Sequence, residues 1–327
     1  MFRNKYEQLG LDRTLEVMEA ILESALKIFY ARKEREAEAE KNNEKVDDGI
    51  EYHELSDSLI ETGAFSIGIF ALKEERIAVK ITDNYLDLCS EWQILNQLQH
   101  ENIIKVLSEP TLERGLACLQ LELISGRDLK KLLLNALESP DRGGLTEDAK
   151  HYVSQCTLEA LIYLHYKKIV HRDLKAENLL IGATHAADVR RGTVIKLCDF
   201  GLSSTSRTPI EVIQGSPDNV SPETMKRKRH QGTSTDMFAY GTLLFVIFTS
   251  RGPFSDDIMD NEKDYSAQLK NLGKRIKQHV GHARIKELIL KCTQRNPRSR
   301  PTALEVKNGC YFRTGKLKSE PSEEKGE

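Results

Sequence analysis

What this chain lacks narrows it first. Its six cysteines (Cys89, Cys118, Cys156, Cys198, Cys292 and Cys310) are scattered and none stands in a CxxC pair. That argues against a zinc site and against a disulfide framework. A reducing, cytoplasmic setting is expected. An excess of one charge is also missing. The 48 Lys and Arg against 50 Asp and Glu leave a formal net charge of −2, so composition gives no pull towards nucleic acid or an anionic membrane. Long apolar runs are absent too. The most apolar stretch, Met237 to Thr249, is too short to cross a bilayer and is expected as a buried core helix. The opening MFRNKYEQLG is too polar for a secretory signal. What remains suffices for a core: 39% of the 327 residues are hydrophobic, enough for one large domain or two lobes.

Leu11, Leu15, Met18, Leu22, Ala25 and Phe29 recur at spacings of four and three, one face of an amphipathic helix. Either that face packs on the body of its own chain, or residues 11–29 meet a partner or a second copy. The charged run that follows reads as a solvated helix end. Glu51 to Ile60 reads as a first strand leading into a loop over Glu61 to Gly68. Ile67, Ile69 and Ala71 alternate, as do Ile77, Val79 and Ile81 after a turn at Lys73 to Arg76, which predicts a hairpin. Period-two geometry sets Ala78 and Lys80 on one face and Ile77, Val79 and Ile81 on the other. Leu88, Trp92, Leu95 and Leu98 carry helical spacing, with Glu91 on the face of Leu95. Ala117 to Ile124 reads as a strand and Ser125 to Leu129 as a turn into a helix. Thr146-Glu147-Asp148 starts a long helix with an acidic first turn. Ser234-Thr235-Asp236 is expected to cap the apolar helix, and the tail from Thr314 is too charged to pack.

The densest chemistry lies in Ile169 to Asn178, IVHRDLKAEN, where Asp173, Lys175 and Asn178 share one short loop. Downstream, Asp199-Phe200-Gly201 sets a second acid beside a glycine. In this order and spacing, the two stretches resemble the catalytic and metal-binding loops of eukaryotic protein kinases. Further resemblances follow: Ile-Ala-Val-Lys80, Glu91 through Ile103, Gly215 to Glu223 with Ser221 in the place of an alanine, and Arg300. Together they cover about Glu54 to Phe312. The resemblance implies an α+β, two-lobed fold: a small antiparallel-sheet lobe with one main helix over residues 51–124, and a larger, mainly helical lobe over 125–313. Residues 1–50 form an amphipathic helix and linker outside it, and 314–327 a disordered tail.

The resemblance also implies ATP and Mg²⁺. Asn178 and Asp199 would supply metal ligands. Lys80, held by Glu91, would fix the α- and β-phosphates. Lys175 would stabilise charge at the γ-phosphate, and Asp173 would orient the substrate hydroxyl and accept its proton. Glu122 and Ile124 would offer backbone groups to adenine, with Leu121 at the back of the pocket. Asp128 would meet the ribose, and Gly63, Gly68 and Ala78 complete the nucleotide contacts. His171 would pack under the Asp199 loop, and Arg300 would pair with Glu223. Arg172 would await a phosphate on Ser203, Ser204, Thr205, Ser206 or Thr208. Lys175 and Gly215-Ser216-Pro217 suit Ser/Thr substrates on proteins. Lys226 to His230 (KRKRH) reads as an exposed basic loop or a nuclear-import signal.

One part departs from the family. The nucleotide-covering loop has Glu61, Gly63 and Ser66 where three glycines let bare backbone approach phosphate. This leaves a second reading, a scaffold that keeps the kinase fold with weak nucleotide binding. The expected outcome is that a Glu61→Gly, Ser66→Gly double variant binds ATP more tightly than the parent. A titration with a fluorescent ATP analogue checks it, and equal affinities would refute it.

Overall fold

The computed structural model describes residues 18–23, 25–27, 30, 34, 59–63, 66–72, 76–139, 141, 143–205, 220–225, 232–254, 262–309 and 311–312. Its small lobe is built on an antiparallel sheet of β1 (Leu59–Gly63), β2 (Ser66–Leu72), β3 (Ile77–Thr82), β4 (Thr111–Glu113) and β5 (Leu116–Glu122), in the order β1-β2-β3-β5-β4. The expected hairpin is present, with Ile69 opposite Lys80 and Phe70 opposite Val79. The first strand differs from expectation. Residues 51–58 lie outside the described residues, and the strand includes Glu61-Thr62-Gly63, expected as loop. β-branched Ile60 and Thr62 favour extended backbone, and Gly63 closes the pairing opposite Ser66.

Alternation on β3 separates two apolar clusters. Ala78 joins Leu119 and Leu121 of β5 on the face towards α1 (Tyr85–Leu95), whose Leu88 and Leu95 are buried there. Val79 and Ile81 join Phe70, Leu116 and Cys118 on the opposite face. That second face is covered by the N-terminal helical residues: Met18, Ile21, Leu22 and Ala25 are buried against it. Of the two readings of the amphipathic face, packing within its own chain is therefore the one realised over these residues. The surface offered for a partner or dimer is filled there by the chain's own sheet. Leu11, Leu15 and Phe29 lie outside the described side chains.

The large lobe contains α2 (Leu129–Glu138), α3 (Glu147–Tyr166), α4 (Pro222–Met225), α5 (Ser234–Thr249), α6 (Glu262–His279), α7 (Ala283–Cys292) and α8 (Ala303–Asn308). Thr146 caps α3 as expected, its hydroxyl accepting from the Ala149 amide at 3.2 Å. The apolar helix α5 is the buried axis of the lobe. Tyr240 is fully buried there and its hydroxyl donates to the Ser154 carbonyl at 3.0 Å. At Gly241 a Cβ would lie 2.7 Å from that of Cys292, so α5 and α7 approach closely only with glycine here. The expected cap of α5 is corrected. The helix begins at Ser234, and Thr233 precedes it without a side-chain capping bond. Asp236 therefore stands within the first turn, and its carboxylate bonds elsewhere.

Two small sheets carry the loops between the lobes. β6 (Arg127–Asp128), β8 (Leu179–Ile181) and β9 (Ile195–Leu197) form one, and β7 (Ile169–Val170) pairs with β10 (Ser204–Thr205) in the other. The long turn between β8 and β9 folds back as a packed turn. Ala186 and Val189 are buried, and Thr193 offers its carbonyl to the Tyr152 hydroxyl at 3.0 Å. Among the described residues no helix is long and apolar enough to cross a membrane. The basic run 226–230 lies outside the described residues.

The packing of the N-terminal helix carries a prediction. Ile21 is 1% exposed, so Ile21→Ala should cost about 2–4 kcal/mol of stability. Urea unfolding of the two proteins measures it, and an unchanged midpoint would mean that the helix is not seated on the sheet.

Candidate active site

The site begins with a backbone conformation that side chains do not favour. Arg172 has φ 71° and Asp199 φ 60°, both left-handed for residues with a Cβ. The turn at Arg172 is held by Asp236. This carboxylate is fully buried and accepts from the His171 amide at 2.9 Å and the Arg172 amide at 2.9 Å. His165 Nε2 lies 2.9 Å from the same group. Burial pushes the Asp236 carboxyl towards protonation, but its bonds from His165 and the Arg172 amide outweigh that and hold it below the usual range. Sequence reading assigned Asp236 to a helix cap and missed this role. The signal available was an acid in the first turn of an otherwise apolar helix.

The clamp aims the next residues into the cleft. Asp173 is 3% exposed, and its Oδ2 meets Lys175 Nζ at 2.9 Å. Burial lowers the Lys175 ammonium's affinity for its proton, and Asp173 reverses that, so the lysine is held above its ordinary value. Asn178 donates its amide hydrogens to the Asp173 carbonyl at 2.7 Å and to Asp173 Oδ2 at 3.1 Å. Its carboxamide oxygen is thus the atom left for a cation. His171 sits where expected. Its Nε2 is 3.1 Å from the Cys198 carbonyl, and its ring meets Phe200 edge-on at 4.8 Å between centroids.

Lys80 joins the lobes. Its Nζ lies 2.8 Å from Glu91 Oε2 and 2.9 Å from Asp199 Oδ1. The other Glu91 oxygen accepts from the Phe200 amide at 3.1 Å. The sequence gap between Lys80 and Glu91 is short because β3 ends at Thr82 and α1 starts at Tyr85, capped by Asn84, which accepts from the Asp87 amide. Burial alone would drive the Lys80 ammonium neutral. The two carboxylates overcome it and hold its pKa above the ordinary range. Conversely, burial would raise the Asp199 carboxyl and Lys80 holds it low. Lys80 and Asp199 are therefore both charged at neutral pH.

The other residues expected at the nucleotide lie on the small-lobe sheet and the segment that follows β5. Ala78 stands opposite Leu121 across β3 and β5, and both are buried. Gly68 pairs with Ile81 and Gly63 with Ser66. The Ile124 carbonyl accepts from the Gly126 amide at 2.9 Å, and the Glu122 amide donates to the Lys105 carbonyl at 2.9 Å. A Cβ at Gly126 would collide with the Ile181 carbonyl, so the chain passes the large lobe here as bare backbone. Asp128, expected near a sugar, caps α2 by accepting from the Lys131 amide at 2.8 Å and pairs with Lys131 Nζ at 3.2 Å. Residues 206–219, with Gly215 to Asn219, lie outside the described residues.

Oxygen donors from Asp199 and Asn178 fit a magnesium ion that completes its shell with phosphates and water. Among the described residues no group of three or more His, Cys, Asp and Glu could hold a metal by itself. The expected pair of Glu223 and Arg300 is present and buried, with Arg300 Nη1 to Oε1 at 2.6 Å and Nη2 to Oε2 at 2.8 Å. Burial would raise the Glu223 carboxyl, and Arg300 instead holds it below its ordinary 4.5. A lowered carboxyl pKa stabilises the fold fully above the unfolded value, and that contribution is lost as pH falls through the folded value. Glu223→Gln should therefore be less stable at neutral pH, with the gap to the parent closing as pH falls below about 4.5. Urea midpoints measured across that range check this, and a constant gap would refute it.

This arrangement has relatives. A family model described as protein kinase domain matches residues 65–312. The "Probable serine/threonine-protein kinase 2" of Plasmodium falciparum is 32% identical over 266 residues, covering 77% of this chain and 49% of the relative. The "Serine/threonine-protein kinase TIO" of Arabidopsis thaliana is 34% identical over 170 residues, 51% of this chain and 12% of the relative. The "Calcium/calmodulin-dependent protein kinase type 1" of Macrobrachium nipponense is 30% identical over 258 residues, 74% of this chain and 69% of the relative. The chain thus spans half or less of the first two. With the lobes, the shared lysine and the clamped loop already in place, the chain belongs to the eukaryotic protein kinase superfamily and is of the Ser/Thr type.

Proposed function

We propose that the protein transfers the γ-phosphate of ATP to Ser and Thr hydroxyls of protein substrates. The observation that carries this reading is Lys80 Nζ, within 2.9 Å of both Glu91 and Asp199. A buried ammonium between two carboxylates from different lobes sets a fixed cation beside a metal ligand, the requirement for holding a polyphosphate. Asp199 and Asn178 would hold Mg²⁺, which neutralises phosphate charge when bound. Asp173, oriented by Asn178 and Lys175, accepts the proton of the substrate hydroxyl. Lys175 supplies positive charge where the transferred group becomes more negative. Relatives named as Ser/Thr kinases support the choice of hydroxyl.

The reading extends to regulation. Arg172 is buried, and its Nε and Nη2 have no hydrogen-bond partner among the described residues. Burial lowers its pKa to about 10, partly offset by Asp236, so it stays charged at neutral pH. A buried cation with unmet donors is a receptor for a phosphate. Thr205 is exposed on β10, while the Ser203 hydroxyl already donates to the His171 carbonyl at 3.2 Å. Of Ser203, Ser204 and Thr205, the described hydroxyls of the cluster, Thr205 is the exposed one. The chemistry suits a reducing cytoplasm, where the cysteines stay thiols.

Incorporation of labelled phosphate into a generic Ser/Thr substrate tests both points. The parent should label it and Asp199→Ala should not, whereas equal signals would leave the scaffold reading. A variant with alanine at Ser203, Ser204, Thr205, Ser206 and Thr208 should label it more slowly, and equal rates would remove the regulatory part alone.

A further inference from the structure

We infer that Glu122 and Lys196 form a latch that sets the span between the adenine end and the phosphate end of the nucleotide site, so that Lys196 is a positioning residue for ATP. The inference rests on the nucleotide reading above. Glu122 is the last residue of β5, and Lys196 lies on β9, three residues before Asp199. Lys196 Nζ meets Glu122 Oε1 at 2.8 Å. The same oxygen accepts from the Lys105 amide at 2.8 Å, and Lys196 Nζ is also 3.4 Å from the Ile103 carbonyl. Nothing in the proposed chemistry uses these side chains.

What they join gives the pair its consequence. Residues 102–107 run between β5 and β9 and are bonded to both. On the β9 side, the Ile104 amide donates to the Leu197 carbonyl and the Leu197 amide to the Asn102 carbonyl, each at 2.9 Å. The Asn102 side chain reaches the Ile195 carbonyl at 3.1 Å. On the β5 side, Glu122 takes both polar backbone groups of Lys105, and the Leu107 amide donates to the Gln120 carbonyl at 2.8 Å. The strand that ends at Glu122 and the strand that delivers Asp199 are therefore held through one connector, and the Glu122–Lys196 ion pair crosses it. The two side chains are 26% and 15% exposed, so solvent screens the pair only in part. Here the pair coexists with the assembled Lys80, Glu91 and Asp199 group. Loss of the pair would let the end of β5 and β9 shift relative to each other while each retains its backbone bonds.

The test is a double-mutant cycle of Lys196→Met, Glu122→Gln and both, with Lys196→Arg as the conservative variant. Glu122→Gln keeps an acceptor for the Lys105 amide. KM for ATP and kcat are measured together, with backbone hydrogen exchange of the nucleotide-free proteins. In Lys196→Met the KM for ATP should rise about threefold to fivefold, the scale of a partly screened ion pair. Its kcat at saturating ATP should stay within about twofold of the parent, because Lys80, Asp173 and Asp199 keep their contacts. The double variant should be no worse than the poorer single one, Lys196→Arg should restore affinity, and exchange at Ile104 and Leu197 should quicken in the single variants. Additive effects, or equal losses of kcat and affinity, would overturn the latch. Unchanged ATP affinity with quickened exchange would also overturn it, leaving a structural pair. A parent without ATP binding, whose exchange still responds to Lys196→Met, would instead reject the nucleotide reading and with it the role assigned here.

Discussion

The site depends on one buried carboxylate. Asp236 has no exposure to water, yet it stays ionised because two backbone amides and an imidazole face it. The amides belong to consecutive residues, His171 and Arg172, and receiving both fixes Arg172 in a left-handed conformation. Such a conformation costs of order 1–3 kcal/mol and persists only where surroundings enforce it. Enforcement comes from α5, the most deeply buried helix of the large lobe. A deeply buried helix therefore sets the direction in which Asp173 points. His171 extends the effect, because its ring supports Phe200 and its Nε2 approaches the Cys198 carbonyl.

From there the order passes to the small lobe through charge. Phe200 donates its amide to Glu91, and Glu91 shares Lys80 with Asp199. Lys80 and Glu91 are both buried, and leaving one partner of a buried pair unpaired typically costs about 3–5 kcal/mol. The group is consequently all or none. A rotation of α1 that withdrew Glu91 would leave Lys80 with one carboxylate and the Phe200 amide without its acceptor. Assembly of the site and seating of α1 against β5 are thus one event, driven by avoidance of buried unpaired charge.

Sequence alone made the loop residues legible because they are close in the chain: Asp173, Lys175 and Asn178 need only a tight turn to meet. Lys80 and Glu91 were legible for a similar reason, one strand and one helix apart. The pair of Glu223 and Arg300 is distant in sequence and became readable only through the family resemblance. What stayed hidden has a common physical form. Asp236 bonds to backbone amides more than sixty residues away, and amides carry no sequence signature. Glu122 and Lys196 are an ordinary acid and an ordinary base until β9 brings them together. Asp128 was read as a ligand contact, but an acid just before a helix serves equally as its cap, and the structure uses it so. The amphipathic stretch near the N-terminus declared its apolar face and not what that face would meet.

That last ambiguity is resolved by counting faces. A five-stranded sheet has two, and β3 is apolar on both, with Val79 and Ile81 on one side and Ala78 on the other. The inner face meets α1 and the cleft. The outer face carries Phe70, Val79, Ile81, Leu116 and Cys118, a patch too apolar to leave in water. A sheet with alternating polar residues on its outer face would need no cover. The strand composition therefore demands a second apolar layer, and Met18, Ile21, Leu22 and Ala25 provide it. Those residues lie outside the segment that matches the protein kinase domain model, yet they complete the sheet that carries Lys80. The lysine's strand is thus packed from both sides, by elements inside and outside the matched segment. Loosening the outer layer would reach Lys80 through β3 itself.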